Sequence, residues 1–135
     1  MKYSAIILAA GSGSRSGLKV NKVLHVINGK RVLDYSLDFF IKSKECEEII
    51  LVCSENDFNF IFANYNDKVN AIVIGGSTRQ DSVYKGLNKA VCEYVLVHDS
   101  ARPYINSDVI SRLLTNLVRT NATTCAVLVK TLWLK

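Results

Sequence analysis

Residues 3–22 read YSAIILAAGSGSRSGLKVNK, and this stretch decides the class of fold. It begins with an apolar run, Tyr3–Leu8, whose length and composition are typical of a buried strand. A polar, glycine-rich segment then follows where a helix would otherwise begin. In a doubly wound parallel sheet, ligands bind beyond the carboxyl ends of the strands. We therefore expect the segment after Leu8 to face a binding crevice.

The rest of the chain alternates short apolar runs with amphipathic stretches. The pattern predicts further strands at 48–53, 70–74, 94–98 and 124–129, and helices at 32–43, 56–64, 81–90 and 108–120. Strands that alternate with helices pair in parallel, because each crossover needs a long connection that a helix supplies. We predict an α/β fold, a three-layer α/β/α sandwich with a Rossmann-like, mostly parallel sheet, in a single domain that spans residues 1–135.

The composition is that of a soluble globular domain, with 135 residues, 49% of them hydrophobic and 21% charged. The net charge of +5 suits an anionic ligand without selecting one. No window approaches the roughly eighteen apolar residues of a membrane span, and the first apolar run is too short for a signal peptide. The basic residues are dispersed and are not interleaved with aromatic ones. We expect a cytoplasmic protein that binds neither nucleic acid nor membranes.

The four cysteines, at positions 46, 53, 92 and 125, match no zinc-binding spacing. Most of them lie within or beside apolar runs, where buried free thiols are common. We interpret them as reduced cysteines of an intracellular protein.

The glycine-rich segment has the residues of a phosphate-binding loop. Gly11 and Gly13 allow the backbone to approach a ligand closely and to direct N–H groups at it. Arg15 and Lys22 add positive charge. Neither a Walker A loop nor a dinucleotide fingerprint fits, because no glycine of the segment is followed by Lys and Ser or Thr, and Ser16 stands where the third glycine of the fingerprint belongs. A generic flexible turn is the alternative interpretation.

Two further polar motifs directly follow predicted strands. In GGSTRQDSV at 75–83, the paired glycines again allow the backbone to approach a ligand closely, and the polar side chains could form hydrogen bonds with the edge of a base. The alternative is a tight turn with Asp81 as the N-cap of a helix. In VHDSARP at 97–103, Asp99 is a candidate Mg²⁺ ligand, because this ion prefers one or two carboxylates plus phosphate oxygens and waters. Arg102 could bind a second anionic group, whereas we interpret His98 as a structural, hydrogen-bonded residue.

Together these motifs resemble the 2-C-methyl-D-erythritol 4-phosphate cytidylyltransferase family of the isoprenoid pathway. LAAGSGSRSG with Lys22, GGSTRQDSV and VHDSARP occur in the family's order and spacing, and the resemblance extends from Ser4 to about Lys130. The first motif is shared widely among nucleotidyltransferases, whereas the second and third together are more specific. The resemblance implies a nucleotidyltransferase-type sheet and, with Mg²⁺ as cofactor, transfer of a cytidylyl group from CTP to 2-C-methyl-D-erythritol 4-phosphate with release of pyrophosphate.

The resemblance also implies a role for each matching residue. Arg15 and Lys22 become the transition-state stabilisers, Asp99 becomes the Mg²⁺ ligand, and Arg102 lies toward the acceptor phosphate. A larger set binds the nucleotide, with Ala9, Ala10, Gly11 and Gly13 as the backbone cradle for CTP and with Gly76 and Ser82 at the cytidine end.

The chain departs from the family pattern at several positions. Asn21 stands where Pro usually precedes the lysine, which predicts a looser loop. Ser77 stands where an acidic residue is common, and Ser16 replaces a frequent Met. After Lys130 the chain lacks the family's dimerisation arm and C-terminal segment, which predicts a truncated domain and argues against the family's homodimer here.

Two other functions stay open on the sequence. Ribitol-5-phosphate cytidylyltransferase shares the three motifs but commonly carries Val at the position of Ala101. A CTP-binding fragment without turnover would have the same nucleotide motifs.

Overall fold

The computed structural model describes residues 1–11 and 21–126, and the chain divides into two compact units, one of Met1–Tyr104 and one that begins at Ile105. In the first unit, four strands form a parallel sheet in the order β5-β4-β1-β6. The first four predicted strands and the parallel sheet are therefore confirmed. The elements of this unit are β1 (Tyr3–Ala9), β2 (Val26–Ile27), β3 (Lys30–Arg31), α1 (Val32–Lys42), β4 (Cys46–Cys53), α2 (Phe58–Tyr65), β5 (Ala71–Ile74), α3 (Arg79–Leu87) and β6 (Tyr94–Asp99).

One face of the sheet carries a core against which α3 packs. β1 lies between β4 and β6 and is fully buried, and its side chains alternate between the two faces. Ile6 and Leu8 pair with Ile50 and Val52 of β4 in this core. A Cβ added at Gly86 of α3 would lie 2.7 Å from Ile6 Cγ2. The glycine thus allows α3 to lie close against the sheet.

The other face is covered by α1 and α2. The Phe40 ring of α1 meets Tyr3 of β1 edge to face, with 6.5 Å between ring centroids. The Tyr65 hydroxyl of α2 donates to Asp34 Oδ1 of α1 at 2.7 Å. The strand order places α3 on the face opposite to α1 and α2. From β1 to β5 the strands are added on one side of β1, and α3 then leads back to β6 on the other side. The predicted three α/β/α layers follow.

A buried polar network joins the sheet to the connection between α3 and β6. The Ser4 hydroxyl donates to Glu48 Oε1, and the same carboxylate oxygen accepts the Val91 N–H at 2.6 Å. The Cys92 N–H donates to Ser4 Oγ at 3.1 Å. Because Ser4 and Glu48 are buried, these hydrogen bonds offset the cost of removing both side chains from water.

Two short elements between β1 and α1 were not predicted. Lys22–Leu24 form a 3-10 turn, and β2 pairs with β3 in an antiparallel hairpin. Asn28 and Gly29 connect the hairpin with φ of 53° and 78°. Positive φ at both positions is the geometry of a type I′ turn, which favours Asn-Gly.

The second unit contains α4 (Ser107–Thr120). The Asn106 side chain caps its start by accepting the Asp108 N–H at 2.8 Å, and Asn121 ends it in the left-handed conformation. The predicted strand at 124–129 is wrong over residues 124–126, which have no ladder partner among the described residues; 127–129 lie outside them. Within the described ranges, no helix is long and apolar enough to cross a membrane.

Candidate active site

A cleft of about 740 Å³ opens at the carboxyl ends of β1 and β6. The strand order reverses between these two strands, since β4 and β5 extend to one side of β1 and β6 lies on the other. Such a reversal leaves a crevice in which ligands of α/β proteins bind. Seven of the ten predicted site residues line the cleft: Ala10, Gly11, Lys22, Gly76, Ser82, Asp99 and Arg102.

Of the other three predicted residues, one lies outside the cleft lining and two lie outside the described residues. Ala9 is buried at the end of β1, and its carbonyl oxygen accepts a hydrogen bond from the Asn21 side chain at 2.8 Å. It therefore belongs to the frame beneath the cleft and not to its lining. Gly13 and Arg15 lie outside the described residues, and their roles stay predictions.

Lys22 reaches the cleft from the 3-10 turn, and Asn21 caps that turn. Asn21 Oδ1 accepts the Val23 N–H at 3.3 Å, while Asn21 Nδ2 donates to Ala9 and to Asp57 Oδ2. The Lys22 side chain itself is exposed. Three side-chain hydrogen bonds hold Asn21 itself, whereas the loop that Asn21 was expected to loosen lies at 12–20, outside the described residues, and that expectation stays a prediction.

The paired glycines after β5 allow this loop to lie close against α3. A Cβ at Gly76 would lie 2.3 Å from Asp81 Cβ, and one at Gly75 would lie 2.6 Å from Ser82 Oγ. The Gly76 N–H donates to Ser82 Oγ at 3.1 Å. No described residue accepts the hydroxyl hydrogen of Ser82, so this group can donate to a ligand in the cleft.

α3 begins two residues earlier than predicted because Thr78, and not Asp81, is its N-cap. The Thr78 hydroxyl oxygen accepts the Asp81 N–H at 3.0 Å. The Asp81 carboxylate instead accepts a hydrogen bond from Ser77 Oγ at 3.1 Å. Hydrogen bonds from Thr78 and Ser77 hold the pKa of Asp81 below its ordinary value. The negative charge is thus kept in the first turn, where the helix dipole favours it.

Asp99 ends β6 and contacts two arginines at the cleft. Arg79 Nε and Nη2 donate to Asp99 Oδ1 at 3.3 and 3.1 Å, and Arg102 Nε lies 3.7 Å from Oδ2. Both arginine side chains are largely exposed. Across the described ranges no group of three acidic, histidine or cysteine side chains comes together. One carboxylate is compatible with Mg²⁺ where phosphate and water supply the remaining ligands, and the role of Asp99 as its ligand stays a prediction.

His98, the neighbour of Asp99, faces the opposite side of the sheet. Its Nε2 is hydrogen-bonded to Ser36 Oγ at 3.1 Å, and its ring lies 5.6 Å from that of Phe40. Burial lowers the pKa of His98 below its ordinary value. The imidazole is therefore a structural group between β6 and α1, in line with its interpretation from the sequence.

The four cysteines are free thiols, as the sequence predicts. Burial raises the pKa of Cys46 and of Cys53 to about 11. At neutral pH both stay protonated, and a thiol is a poor nucleophile in that form.

Two cleft residues, Asn21 and Arg79, were not among the site residues predicted from the sequence. Asn21 precedes a short turn and is a residue type that favours N-caps, which is a local signal. Arg79 stands within the GGSTRQDSV motif, but its partner Asp99 lies 20 residues further along the chain. Only the folded arrangement of α3 beside β6 identifies that pair.

Comparisons with known proteins agree with the geometry. A family model described as IspD: 2-C-methyl-D-erythritol 4-phosphate cytidylyltransferase matches residues 3–134. A 2-C-methyl-D-erythritol 4-phosphate cytidylyltransferase from Clostridium botulinum (strain 657 / Type Ba4) is 42% identical, over 96% of this chain and 59% of the relative. One from Clostridium tetani (strain Massachusetts / E88) is 40% identical, over 93% of this chain and 53% of the relative.

A solved structure extends the agreement to the fold. The 4-diphosphocytidyl-2C-methyl-D-erythritol synthase from Anaerococcus prevotii DSM 20548 has a TM-score of 0.69 and is 32% identical, over 86% of this chain and 50% of that one. This chain thus spans between half and three fifths of the length of these relatives. The family model covers almost all of it, and the resemblance drawn from the three motifs is confirmed. The chain belongs to the 2-C-methyl-D-erythritol 4-phosphate cytidylyltransferase family.

Proposed function

We propose that this chain acts as a cytidylyltransferase. The enzyme would join CTP to 2-C-methyl-D-erythritol 4-phosphate and give 4-diphosphocytidyl-2-C-methyl-D-erythritol and pyrophosphate. The observation that carries the proposal is the convergence of Gly11, Lys22, Ser82, Asp99 and Arg102 on one cleft at the strand ends. Relatives named for this activity resemble the chain over more than nine tenths of its length.

The residues suit a reaction that needs charge stabilisation and no general base. A phosphate oxygen of the acceptor attacks the α-phosphorus of CTP, and the bond from that phosphorus to the bridging oxygen breaks as pyrophosphate leaves. The attacking oxygen is already anionic at neutral pH, so no proton need be removed. Lys22 and Arg15 would stabilise the charge that develops on the phosphoryl oxygens. That His98 faces away from the cleft agrees with this chemistry.

The nucleotide would lie across the cleft with its base toward α3. The backbone at Ala10 and Gly11 would approach the triphosphate, since an added Cβ at Gly11 meets no described atom within 4 Å. The Ser82 hydroxyl would donate to an acceptor on the cytosine edge, because its oxygen already accepts the Gly76 N–H. These contacts would fix the α-phosphorus relative to Lys22.

We assign Mg²⁺ to Asp99. The ion would neutralise part of the charge on the triphosphate when bound there. Arg79 and Arg102 contact the same carboxylate, and their exposed guanidinium groups could release it for phosphate oxygens. Asp99 would therefore hold the cation while both arginines bind anionic groups of the substrates.

Position 101 favours the methylerythritol acceptor over ribitol 5-phosphate. Ala101 lines the cleft between Asp99 and Arg102. A valine there, as ribitol-5-phosphate enzymes commonly carry, would narrow the space beside the acceptor phosphate. We expect the smaller alanine to leave more room for the branched methylerythritol carbon chain.

Pyrophosphate release tests the proposal directly. The protein is incubated with Mg²⁺ and CTP, and each alcohol phosphate is added in turn; UTP and ATP replace CTP in parallel reactions. We expect release only with CTP and 2-C-methyl-D-erythritol 4-phosphate. Release with ribitol 5-phosphate alone would select the sister activity. Thermal stabilisation by CTP and Mg²⁺ without turnover on either acceptor would identify a CTP-binding fragment.

Single variants test the two assigned cations. Arg15→Ala and Lys22→Ala should each lower turnover by more than tenfold, which is about 1.4 kcal/mol of transition-state stabilisation, and should largely keep CTP affinity. Lys89→Ala removes an exposed lysine that does not line the cleft and serves as the matched control. If either cleft variant stays within tenfold of the parent protein, its assigned role is wrong.

A further inference from the structure

We infer that Asn21 is a positioning residue that fixes Lys22 at the edge of the cleft. The inference rests on the proposed function, in which Lys22 stabilises the transition state. It concerns a residue at which this chain departs from the family pattern drawn from its motifs.

The Asn21 side chain is buried, and both its amide nitrogen and its amide oxygen form hydrogen bonds. It is 7% exposed. Its Nδ2 donates to the Ala9 carbonyl oxygen at 2.8 Å and to Asp57 Oδ2 at 3.0 Å, and its Oδ1 accepts the Val23 N–H at 3.3 Å. A buried amide with this many partners is held in one orientation.

These hydrogen bonds connect the turn to two fixed parts of the fold. Ala9 ends β1, the buried strand between β4 and β6. Asp57 precedes α2 and is itself held by a hydrogen bond from Ser54 Oγ at 2.8 Å. Asn21 thus joins the turn to the carboxyl end of β1 and to the start of α2.

The residues on both sides of Lys22 are therefore held, while its own side chain projects from the turn. The Asn21 carbonyl oxygen accepts the Leu24 N–H at 2.9 Å, and the His25 N–H donates to the Lys22 carbonyl oxygen at 3.2 Å. Val23 is buried and adds an apolar anchor. With the backbone fixed, the position of the ammonium group depends only on the side-chain rotamer. An error of about 1 Å in such a position can cost a hundredfold in rate.

The backbone angle explains how Asn can stand in for Pro. Asn21 has a φ of −54°, which lies within the range that a proline ring imposes. Proline would fix this angle through its ring, and Asn21 fixes the turn through its side-chain hydrogen bonds. The two residue types are alternative means to hold the lysine.

A double-mutant cycle on turnover tests the inference. Asn21→Ala, Lys22→Ala and the double variant are compared by pyrophosphate release at a temperature where all are folded. We expect Asn21→Ala to lower kcat about tenfold with KM for CTP changed less than about threefold, and the double variant to be no slower than Lys22→Ala. Asn70→Ala is the matched control, because it removes an asparagine hydrogen bond to the Ile49 N–H without touching the turn; it should leave kcat unchanged.

If Asn21→Ala lowered kcat by the same factor in the parent protein and in Lys22→Ala, Asn21 would act on the fold and not through Lys22. That result would overturn the inference. Undiminished turnover in Lys22→Ala, or no turnover by the parent protein, would instead count against the proposed function. Amide hydrogen exchange separates the two failures, because it needs no activity. We expect exchange at Leu24 and His25 to be at least tenfold faster in Asn21→Ala and to stay slow in Asn21→Pro. Unchanged exchange in Asn21→Ala overturns the inference whatever Lys22→Ala shows.

Discussion

Gly11→Ala should weaken CTP binding without weakening the fold. A Cβ at Gly11 meets no described atom within 4 Å, so the folded backbone has room for alanine. Alanine also restricts the unfolded chain, which raises the free energy of unfolding by about 0.4–1 kcal/mol where the native backbone accepts it. The same methyl group would stand between the loop and the triphosphate. We therefore expect the Kd for CTP to rise at least tenfold, about 1.4 kcal/mol.

Two other glycines provide the controls. A Cβ at Gly86 would meet the fully buried Ile6 at 2.7 Å, which overpacks the core by about 1–3 kcal/mol, while the better helix propensity of alanine returns about 1 kcal/mol. Gly86→Ala should thus lower the free energy of unfolding by about 1 kcal/mol and leave CTP affinity unchanged. Gly76→Ala should lower both, because its Cβ would meet Asp81 at 2.3 Å and disturb the hydrogen bond to Ser82.

Urea unfolding followed by circular dichroism measures the first quantity, and calorimetric titration with CTP in excess Mg²⁺ measures the second. Parent-like CTP affinity in Gly11→Ala would refute the backbone cradle. A loss of more than about 1 kcal/mol of stability in that variant would refute the geometry from which the prediction is drawn.

Substitutions at three further positions separate effects on CTP binding from effects on the free energy of unfolding. Asp99→Asn should abolish the Mg²⁺ dependence of CTP affinity, which calorimetry measures. It should lower the free energy of unfolding by less than about 1 kcal/mol, because the contact of Asp99 with Arg79 is a largely exposed ion pair. A retained Mg²⁺ dependence would contradict the ligand role. Since burial lowers the pKa of His98 from 6.5, the unfolded chain binds this proton more readily, and stability should fall below about pH 6.5 by at most about 1.4 kcal/mol per pH unit. His98→Gln should flatten that slope in urea unfolding, and an unchanged slope would exclude His98 as its source. Ser4→Ala leaves the Cys92 N–H without its acceptor and removes the hydroxyl that donates to Glu48. The free energy of unfolding, measured in urea, should therefore fall by about 2 kcal/mol, while CTP affinity stays intact. An unchanged free energy of unfolding would mean that water replaces the hydroxyl.

The strands and the edge that carries the site could be predicted from sequence because both depend on local patterns. Runs such as Tyr3–Leu8 are short, apolar and rich in Ile, and a polar motif follows directly after each strand that contributes to the cleft. Parallel strands bring their carboxyl ends to one edge of the sheet, so Gly11, Gly76 and Asp99 had to lie near one another.

Other features could not be predicted because they depend on residues distant in the chain. The amide of Asn21 contacts Ala9 and Asp57, which lie 12 and 36 residues away, so no local pattern predicts these hydrogen bonds. The start of α3 was misplaced for a different reason. Thr78 and Asp81 are both good capping residues, and the close approach of Gly76 to α3 decides between them.

The hairpin was missed although its turn signal is strong. Asn28-Gly29 favours a type I′ turn, but each flanking strand has only two residues. Runs this short show no alternation of polar and apolar residues, so periodicity cannot detect them. The Asn-Gly dipeptide by itself indicates the hairpin.

Residues 98 and 99 are adjacent in the chain yet serve separate purposes, because successive side chains of a strand point to opposite faces. On the proposed function, a substitution at Asp99 would give a stable protein without turnover, and a substitution at His98 would give an active protein that unfolds more readily. A screen for well-folded variants would therefore pass the first kind of defect unnoticed, and a brief activity assay would pass the second. Anyone who engineers this chain must select for both properties at once, even when only these two neighbouring codons are varied.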